Sequence, residues 1–271
     1  MNPLNNPTLC ISVAQKPGKF GITVHNTGYQ TLGLNYIYRA FAITDIKGTV
    51  GGIRSLGIRG CSVSMPFKEK VIPLLDRLDP LAKKIGAVNT IVNQNGRLIG
   101  YNTDVIAAQQ SFQQLKIKNS DSIIIFGAGG VSRAILFALK NLKLRNITIT
   151  NRTMSRGRKL AKEFNVDFVQ WSKRENIDSD IIINATSIGM PPNISSSPIS
   201  SHKIKNSKIV MDVVMPPKTK LISIANKHQK ITVDGLKLSL YQAFAQFKLY
   251  TGRNPPVQVM EKVAKILYKV K

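Results

Sequence analysis

The sequence predicts two α/β units facing each other across a cleft. Three observations carry this. Short apolar runs alternate with helical patterns along most of the 271 residues, as βα units require. Residues 123–130, Ile-Ile-Ile-Phe-Gly-Ala-Gly-Gly, end a buried-type strand in a glycine turn ahead of a helix. A second apolar run ends in Asn151, Arg152 and Thr153, about 20 residues beyond those glycines. The first unit is expected to hold a mostly parallel sheet, and the second to be of Rossmann type.

In chain order, residues 9–14 read as a strand and 20–34 as a helix stopped near Gly33. A strand over 36–43, a helix over 45–56 and a strand over 58–63 follow. Next come a helix started by Pro66, a short helix around Leu81, and strands at 88–92 and 98–101 joined by Asn95-Gly96. Asn102-Thr103-Asp104 opens a helix running to about Leu115, the bridge into the second unit. There the spacing predicts a helix from Val131 to about Leu142 and strands at 122–126, 146–150, 166–169, 180–184, 208–213 and 230–233. The Pro- and Ser-rich stretch 191–201 reads as a mobile surface loop, and helices near 236–251 and 255–269 close the chain. The expected domains are 1–103 joined by helices 236–271, and 104–235.

Composition excludes several classes. No run of 18 apolar residues is present, so a membrane span is not expected. The opening Met-Asn-Pro-Leu-Asn-Asn-Pro lacks the pattern of a secretory signal. Cys10 and Cys61 sit in apolar runs and read as buried hydrophobes, while His25, His202 and His228 are too scattered for a metal site. A cytoplasmic location is the simplest expectation. The 39 Lys and Arg against 14 Asp and Glu, a net +25, attract anionic small molecules. Because they are dispersed, with no nucleic-acid motif, a specific nucleic-acid partner is not expected. Monomer and homodimer both stay open.

The glycine turn carries the first chemistry. A helix beginning at Gly129–Gly130 aims free N–H groups at whatever lies above Gly127, Ala128 and Val131, which suits a pyrophosphate. The third glycine of the G-x-G-x-x-G pattern is replaced by Ser132, so the bland alternative is a tight strand-to-helix turn. An acidic residue after the second strand would accept from a ribose 2′-hydroxyl. Here Asn151 and Arg152 stand there, with Arg156 one turn further, so the cofactor expected is NADP rather than NAD.

Other candidates lie where strands end in polar residues: Ser62 and Ser64 with Lys68, Asn89-Thr90, and Asn102-Thr103-Asp104. Singly, each has an ordinary role, Lys68 as a solvated lysine, Asn89 as a turn residue and Asp104 as an N-cap. Together, in this order, they resemble the shikimate dehydrogenase family over nearly the whole chain. Residues 62–68 resemble its motif with the catalytic lysine. Ala-Val-Asn-Thr at 87–90 and Asn-Thr-Asp at 102–104 resemble those supplying the substrate-binding asparagine and the lysine's aspartate partner. The glycine turn, Asn-Arg-Thr-x-x-Arg at 151–156, Asn-Ala-Thr-Ser-Ile-Gly-Met at 184–190, Asp234-Gly235 and Gln242-Ala243 complete the set.

The resemblance implies an oxidoreductase that reversibly reduces 3-dehydroshikimate to shikimate with NADP, in the route to aromatic amino acids. Lys68 would transfer the proton and Asp104 would orient it. Ser64, Asn89 and Gln242 would contact the substrate. Gly127–Val131, Asn151, Arg152, Thr153 and Arg156 would hold the adenosine side, and Thr186, Ser187, Gly189, Met190, Val213 and Gly235 the nicotinamide side. The family's two carboxylate-binding serines correspond to Lys19 and Gly21 here, so Lys19 with Thr23 stands in for them. An expected tyrosine near Asp212–Met215 is replaced by Met215 or lost by deletion, and a Gly-Met pair is Lys237-Leu238. Residues 20–26 and 32–41 are more similar to the shikimate dehydrogenase-like branch, whose members act weakly on shikimate. Quinate, an aminated analogue, or a weakly active paralogue with a nucleic-acid-binding surface are the alternatives.

Overall fold

The computed structural model describes residues 6–270; residues 1–5, read above for a secretory leader, lie outside it. The chain divides into two compact units. One comprises residues up to Ile106 together with those from Leu240 onward, and the other is Ala107–Ser239.

The first unit runs β1 (Thr8–Ala14), α1 (Phe20–Thr31), β2 (Tyr36–Ala42), α2 (Ile46–Ser55), β3 (Gly60–Val63), β4 (Arg77–Leu78), α3 (Pro80–Ile85), β5 (Thr90–Gln94) and β6 (Arg97–Tyr101). Local chemistry sets several ends. Asp45 and Asp79 cap α2 and α3 by accepting from Lys47 N and Leu81 N, and Gly86 stops α3 in the left-handed region. The sheet order is β2-β1-β3-β5-β6-β4. Three of its five pairings are parallel; β3–β5 and the β5–β6 hairpin across Asn95-Gly96 are antiparallel.

One expectation fails here, and one element was unforeseen. The helix from Pro66 does not form: residues 65–71 are turns, followed only by a 3-10 turn at Ile72–Leu74. Pro73 has no N–H for the carbonyl of residue 69, and the Lys68 carbonyl accepts from Val88 N at 2.8 Å instead of from its own segment. The two-residue strand β4, too short for any periodicity, was also not expected.

α4 (Thr103–Gln113) crosses into the second unit, and α9 (Gly235–Thr251) leads back to the first, followed by α10 (Val257–Tyr268). Between them lie β7 (Ile123–Phe126), α5 (Gly130–Asn141), β8 (Ile147–Asn151), α6 (Met154–Phe164), β9 (Asp167–Gln170), β10 (Ile181–Asn184), α7 (Ser201–Asn206), β11 (Ile209–Asp212), α8 (Lys220–Lys227) and β12 (Ile231–Val233). All six strands expected here are present. Their order, β12-β11-β10-β7-β8-β9, is wholly parallel and is the doubly wound Rossmann order. β7, β10 and β11 are buried at every residue, which explains why they read as unbroken apolar runs.

The stretch 191–201 is exposed except at residues 197–199. Pro198 and Ile199 are buried, Ile199 joins the core of this unit, and Arg174 Nε donates to the Pro198 carbonyl at 2.8 Å. Cys10 and Cys61 are free, fully buried thiols. No described helix is long and apolar enough to cross a membrane.

At the opposite end of this sheet, Asp180 accepts from Ser122 N (2.8 Å) and Ser122 Oγ (2.9 Å) and pairs with Lys208 Nζ (2.9 Å). These bonds hold its carboxyl down to about 2, against an ordinary 3.8. A carboxyl depressed by folding contributes stability above its unfolded pKa and loses it as pH falls through the folded one. Asp180→Asn should cost about 1–2 kcal/mol at neutral pH after allowance for partial exposure. The gap to wild type should close between pH 4 and 2 in urea titrations followed by fluorescence of the single tryptophan, Trp171.

Candidate active site

In the first unit, the turn after β3 carries Lys68, whose Nζ donates to Asp104 Oδ2 at 2.6 Å; both side chains are only about a tenth exposed. Asp104 does not cap its helix. That role falls to Asn102, whose Oδ1 accepts from Val105 N at 3.1 Å while its Nδ2 donates to the Ala87 carbonyl at 2.9 Å. Asp104, in the first turn of α4, is therefore left for the lysine.

Asn89, fully buried, closes the group. Its Oδ1 accepts from Thr103 N (2.7 Å), Thr90 Oγ1 (2.9 Å) and Thr103 Oγ1 (3.1 Å), while its Nδ2 makes no hydrogen bond within the protein. Thr103 adjoins Asp104, so amine, carboxylate and carboxamide are tied into one rigid assembly. Such a site offers a desolvated proton donor or acceptor, an orienting carboxylate and an unused amide donor. That is the equipment for moving a hydroxyl proton.

The other expected substrate contacts are placed less uniformly. Ser64 is exposed at the end of β3, and Lys19 is exposed at the N-cap of α1. Thr23 Oγ1 donates back to the Lys19 carbonyl at 3.1 Å, binding its hydroxyl into its own helix. Gln242 on α9 is half-buried. The glutamine one turn further, Gln246, is buried and donates to Thr90 Oγ1 (2.9 Å), Ser62 Oγ (3.1 Å) and the Asn89 carbonyl (3.4 Å). Gln246 was not picked out from the sequence. Its one signal there was a polar residue inside the apolar run Ala-Phe-Ala-Gln-Phe.

In the second unit, β7 and β10 adjoin where the strand order reverses, so the turns following them lie side by side. Gly127 has φ +112, and a Cβ there would come within 2.6 Å of the Ala185 carbonyl; any side chain would force the two turns apart. Gly129 caps α5 with no side chain across its end, and a Cβ on it would meet nothing within 4 Å. The first N–H groups of α5 thus face open space, a cradle that fits a pyrophosphate. At the end of β8, Asn151 Nδ2 donates to the Thr153 carbonyl at 2.8 Å, shaping the turn that carries exposed Arg152 and leads to exposed Arg156. These residues fit a dinucleotide with an added phosphate on its adenosine.

The remaining loops converge on Asp212, fully buried at the end of β11. It accepts from Thr219 Oγ1 (2.7 Å), Asn184 Nδ2 (2.9 Å) and Val214 N (3.1 Å). Asn184 also donates to the Ile188 carbonyl (3.0 Å), and its Oδ1 accepts from Thr186 Oγ1 (2.7 Å) and Thr186 N (3.1 Å). The turn bearing Thr186, Ser187, Gly189 and Met190 is thereby held against the segment from Val213. A Cβ on Gly235 would strike the Val214 carbonyl, so the start of α9 presses on that same segment. The family resemblance suggested Thr186 and Gly235 but not the buried carboxylate at the end of β11.

A doubly wound sheet with this glycine cradle in one unit, and a largely buried Lys68–Asp104 pair in the other, define a nucleotide-linked oxidoreductase. Comparison with known proteins specifies the class further. The model of the shikimate dehydrogenase substrate-binding domain matches residues 20–91, that of shikimate/quinate 5-dehydrogenase residues 107–238, and that of the shikimate 5′-dehydrogenase C-terminal domain residues 235–265. The chain belongs to the shikimate dehydrogenase family.

A shikimate dehydrogenase-like protein of Haemophilus influenzae is 39% identical over 259 residues, covering 94% of this chain and 95% of its own. A crystal structure of a shikimate dehydrogenase in complex with NADP+ superposes with a TM-score of 0.87 at 34% identity, covering 100% of this chain and 98% of that one. That of the Thermus thermophilus enzyme with NADP(H) and shikimate gives 0.84 at 28% identity, covering 95% and 98%.

Burial pushes the Asp212 carboxyl up to about 6, against the downward pull of its three donors. With the folded value above the unfolded 3.8, its contribution to stability is fully present below pH 3.8 and lost as pH rises through 6. Between pH 4 and 7 the wild type should lose about 3 kcal/mol through this group. Asp212→Asn should not show that loss, so its stability relative to wild type should rise over the same interval. A pH-independent difference in urea titrations would contradict this account.

Proposed function

We propose that the chain is an NADP-dependent dehydrogenase that reversibly reduces 3-dehydroshikimate, or a closely similar cyclohexane carboxylate, to its ring alcohol. The observation that carries this reading is the desolvated Lys68–Asp104 pair beside the unused amide of Asn89. When bound, the nicotinamide supplies or accepts hydride. The protein's own groups manage the rest.

Lys68 Nζ binds the reacting hydroxyl and carries its proton, while Asp104 keeps the ammonium oriented and accepts from a neighbouring hydroxyl. Asn89 Nδ2 donates to a ring oxygen. Ser64 and Gln242 add contacts, and Lys19, with Thr23 at the same helix start, attracts the carboxylate. One flexible ammonium holds a carboxylate more loosely than a pair of fixed hydroxyl donors. Turnover of shikimate is therefore expected, with a high KM.

For the cofactor, Gly127–Val131 would hold the pyrophosphate, Asn151, Arg152, Thr153 and Arg156 the 2′-phosphate end, and Thr186, Ser187, Gly189, Met190, Val213 and Gly235 the nicotinamide end. Quinate is the second substrate to test, since the matching family model spans both acids.

NADPH formation with shikimate and quinate tests the reading directly. Lys68→Ala should lower kcat by about 10³-fold while leaving NADP affinity unchanged, because the lysine acts on the proton and not on the nucleotide. Equal losses in both would remove it from the proton path. Arg152→Ala should weaken NADP by about tenfold and leave NAD unaffected, since a charge-assisted bond to phosphate is at stake. Parallel losses for both nucleotides, by calorimetry, would refute the clamp.

A further inference from the structure

The hydrogen bonds behind Asn89 have a direction. His25 is 1% exposed and stacks on Tyr38, with ring centroids 4.5 Å apart and planes 8° from parallel. Burial pushes its imidazole down to about 3, so the ring is neutral and carries one proton. Its Nδ1 has no partner, and the ring bonds the Gln246 side chain. The network therefore assigns the proton to Nε2, which donates to Gln246 Oε1.

Gln246 is thereby turned so that Nε2 faces the strands, donating to Thr90 Oγ1 at 2.9 Å and Ser62 Oγ at 3.1 Å. A Thr90 oxygen that accepts from Gln246 directs its own hydrogen away, toward Asn89 Oδ1 at 2.9 Å. The Asn89 oxygen, which also takes the Thr103 N–H, has no capacity left to face a ligand. Only Nδ2 remains.

We propose that His25, Gln246 and Thr90 form a directional relay that fixes the polarity of the Asn89 amide, so that the site presents a donor and selects ligands with an oxygen acceptor at that point. A ring hydroxyl or ketone satisfies it. An ammonium in the same place meets a donor with a donor, which excludes aminated analogues there. Gln246 and Thr90 are positioning residues and touch no substrate. The relay rests on the proposal that Asn89 contacts substrate, and the test separates the two.

Kinetics with shikimate and NADP should be compared for wild type, N89A, Q246L, T90V, T90S and the Q246L/T90V double variant, with thermal melts alongside. The relay requires Q246L and T90V each to raise KM by about tenfold, with kcat and NADP affinity little changed. The double variant should be no worse than either single, and T90S, which keeps the hydroxyl, should behave as wild type. Additive losses, or losses in kcat rather than KM, overturn the relay. If N89A raises KM while Q246L and T90V do not, the relay alone fails; if N89A leaves KM unmoved, the substrate contact fails and the relay with it. A readout that needs neither turnover nor a folded Q246L is the NMR signature of the His25 ring in the wild-type protein. The Nε2–H tautomer, held neutral at pH 5, supports the relay, and the Nδ1–H tautomer overturns it.

Discussion

The carboxamide of Asn89 joins strand β5 to the first turn of α4, and the geometry of the candidate site follows from that junction. Its oxygen takes the Thr103 backbone N–H, one of the donors that a helix start leaves without an internal partner. Asn102 satisfies another. With the helix start satisfied by these two side chains, Asp104 is available to pair with Lys68, although a carboxylate in a first turn would ordinarily serve the helix itself. Taking an ammonium and a carboxylate out of water is costly unless their geometry is held, and here a strand, a turn and a helix hold it.

The second unit follows a related plan with a different anchor. Asp212 is buried at the carboxyl end of the sheet, and Asp180 lies at the amino end, half-exposed with a lysine beside it. The same residue type is thus pushed in opposite directions, upward by desolvation and downward by N–H, hydroxyl and ammonium partners. Asp180 stabilises the fold. Asp212 is retained at a cost to stability near neutral pH and serves the loops that carry the proposed nicotinamide contacts. Groups that cost stability while positioning a ligand-facing loop are common at functional sites.

The +25 charge finds little structural use at either anchor. Lys68, Lys208 and Lys203 have carboxylate partners. Arg174 lies over the Trp171 ring at 4.7 Å. Arg152 and Arg156 stand out from the many basic side chains by their place at the end of β8, where a dinucleotide's adenosine end lies in a doubly wound fold.

Sequence by itself determined the α/β class, the six strands of the second unit and the glycine turn, and marked Lys68, Asn89 and Asp104 as polar residues at strand ends whose proposed roles come from the family resemblance. Those features are written in short-range patterns: apolar runs for strands buried on both faces, glycine where a Cβ has no room, and polar residues where strands end. Tertiary structure decided what each polar group is for. Gln242 and Gln246 lie one turn apart on α9, and no periodicity tells which of them enters the core. The segment after Pro66 has helix-like composition, yet its Lys68 carbonyl bonds Val88 across the chain. Asp212 looks like any residue ending a strand until donors from the end of β10 and from the segment after β11 are seen to converge on it. Burial and hydrogen-bond direction are properties of neighbours far apart in the chain, so they exist only once the chain has folded.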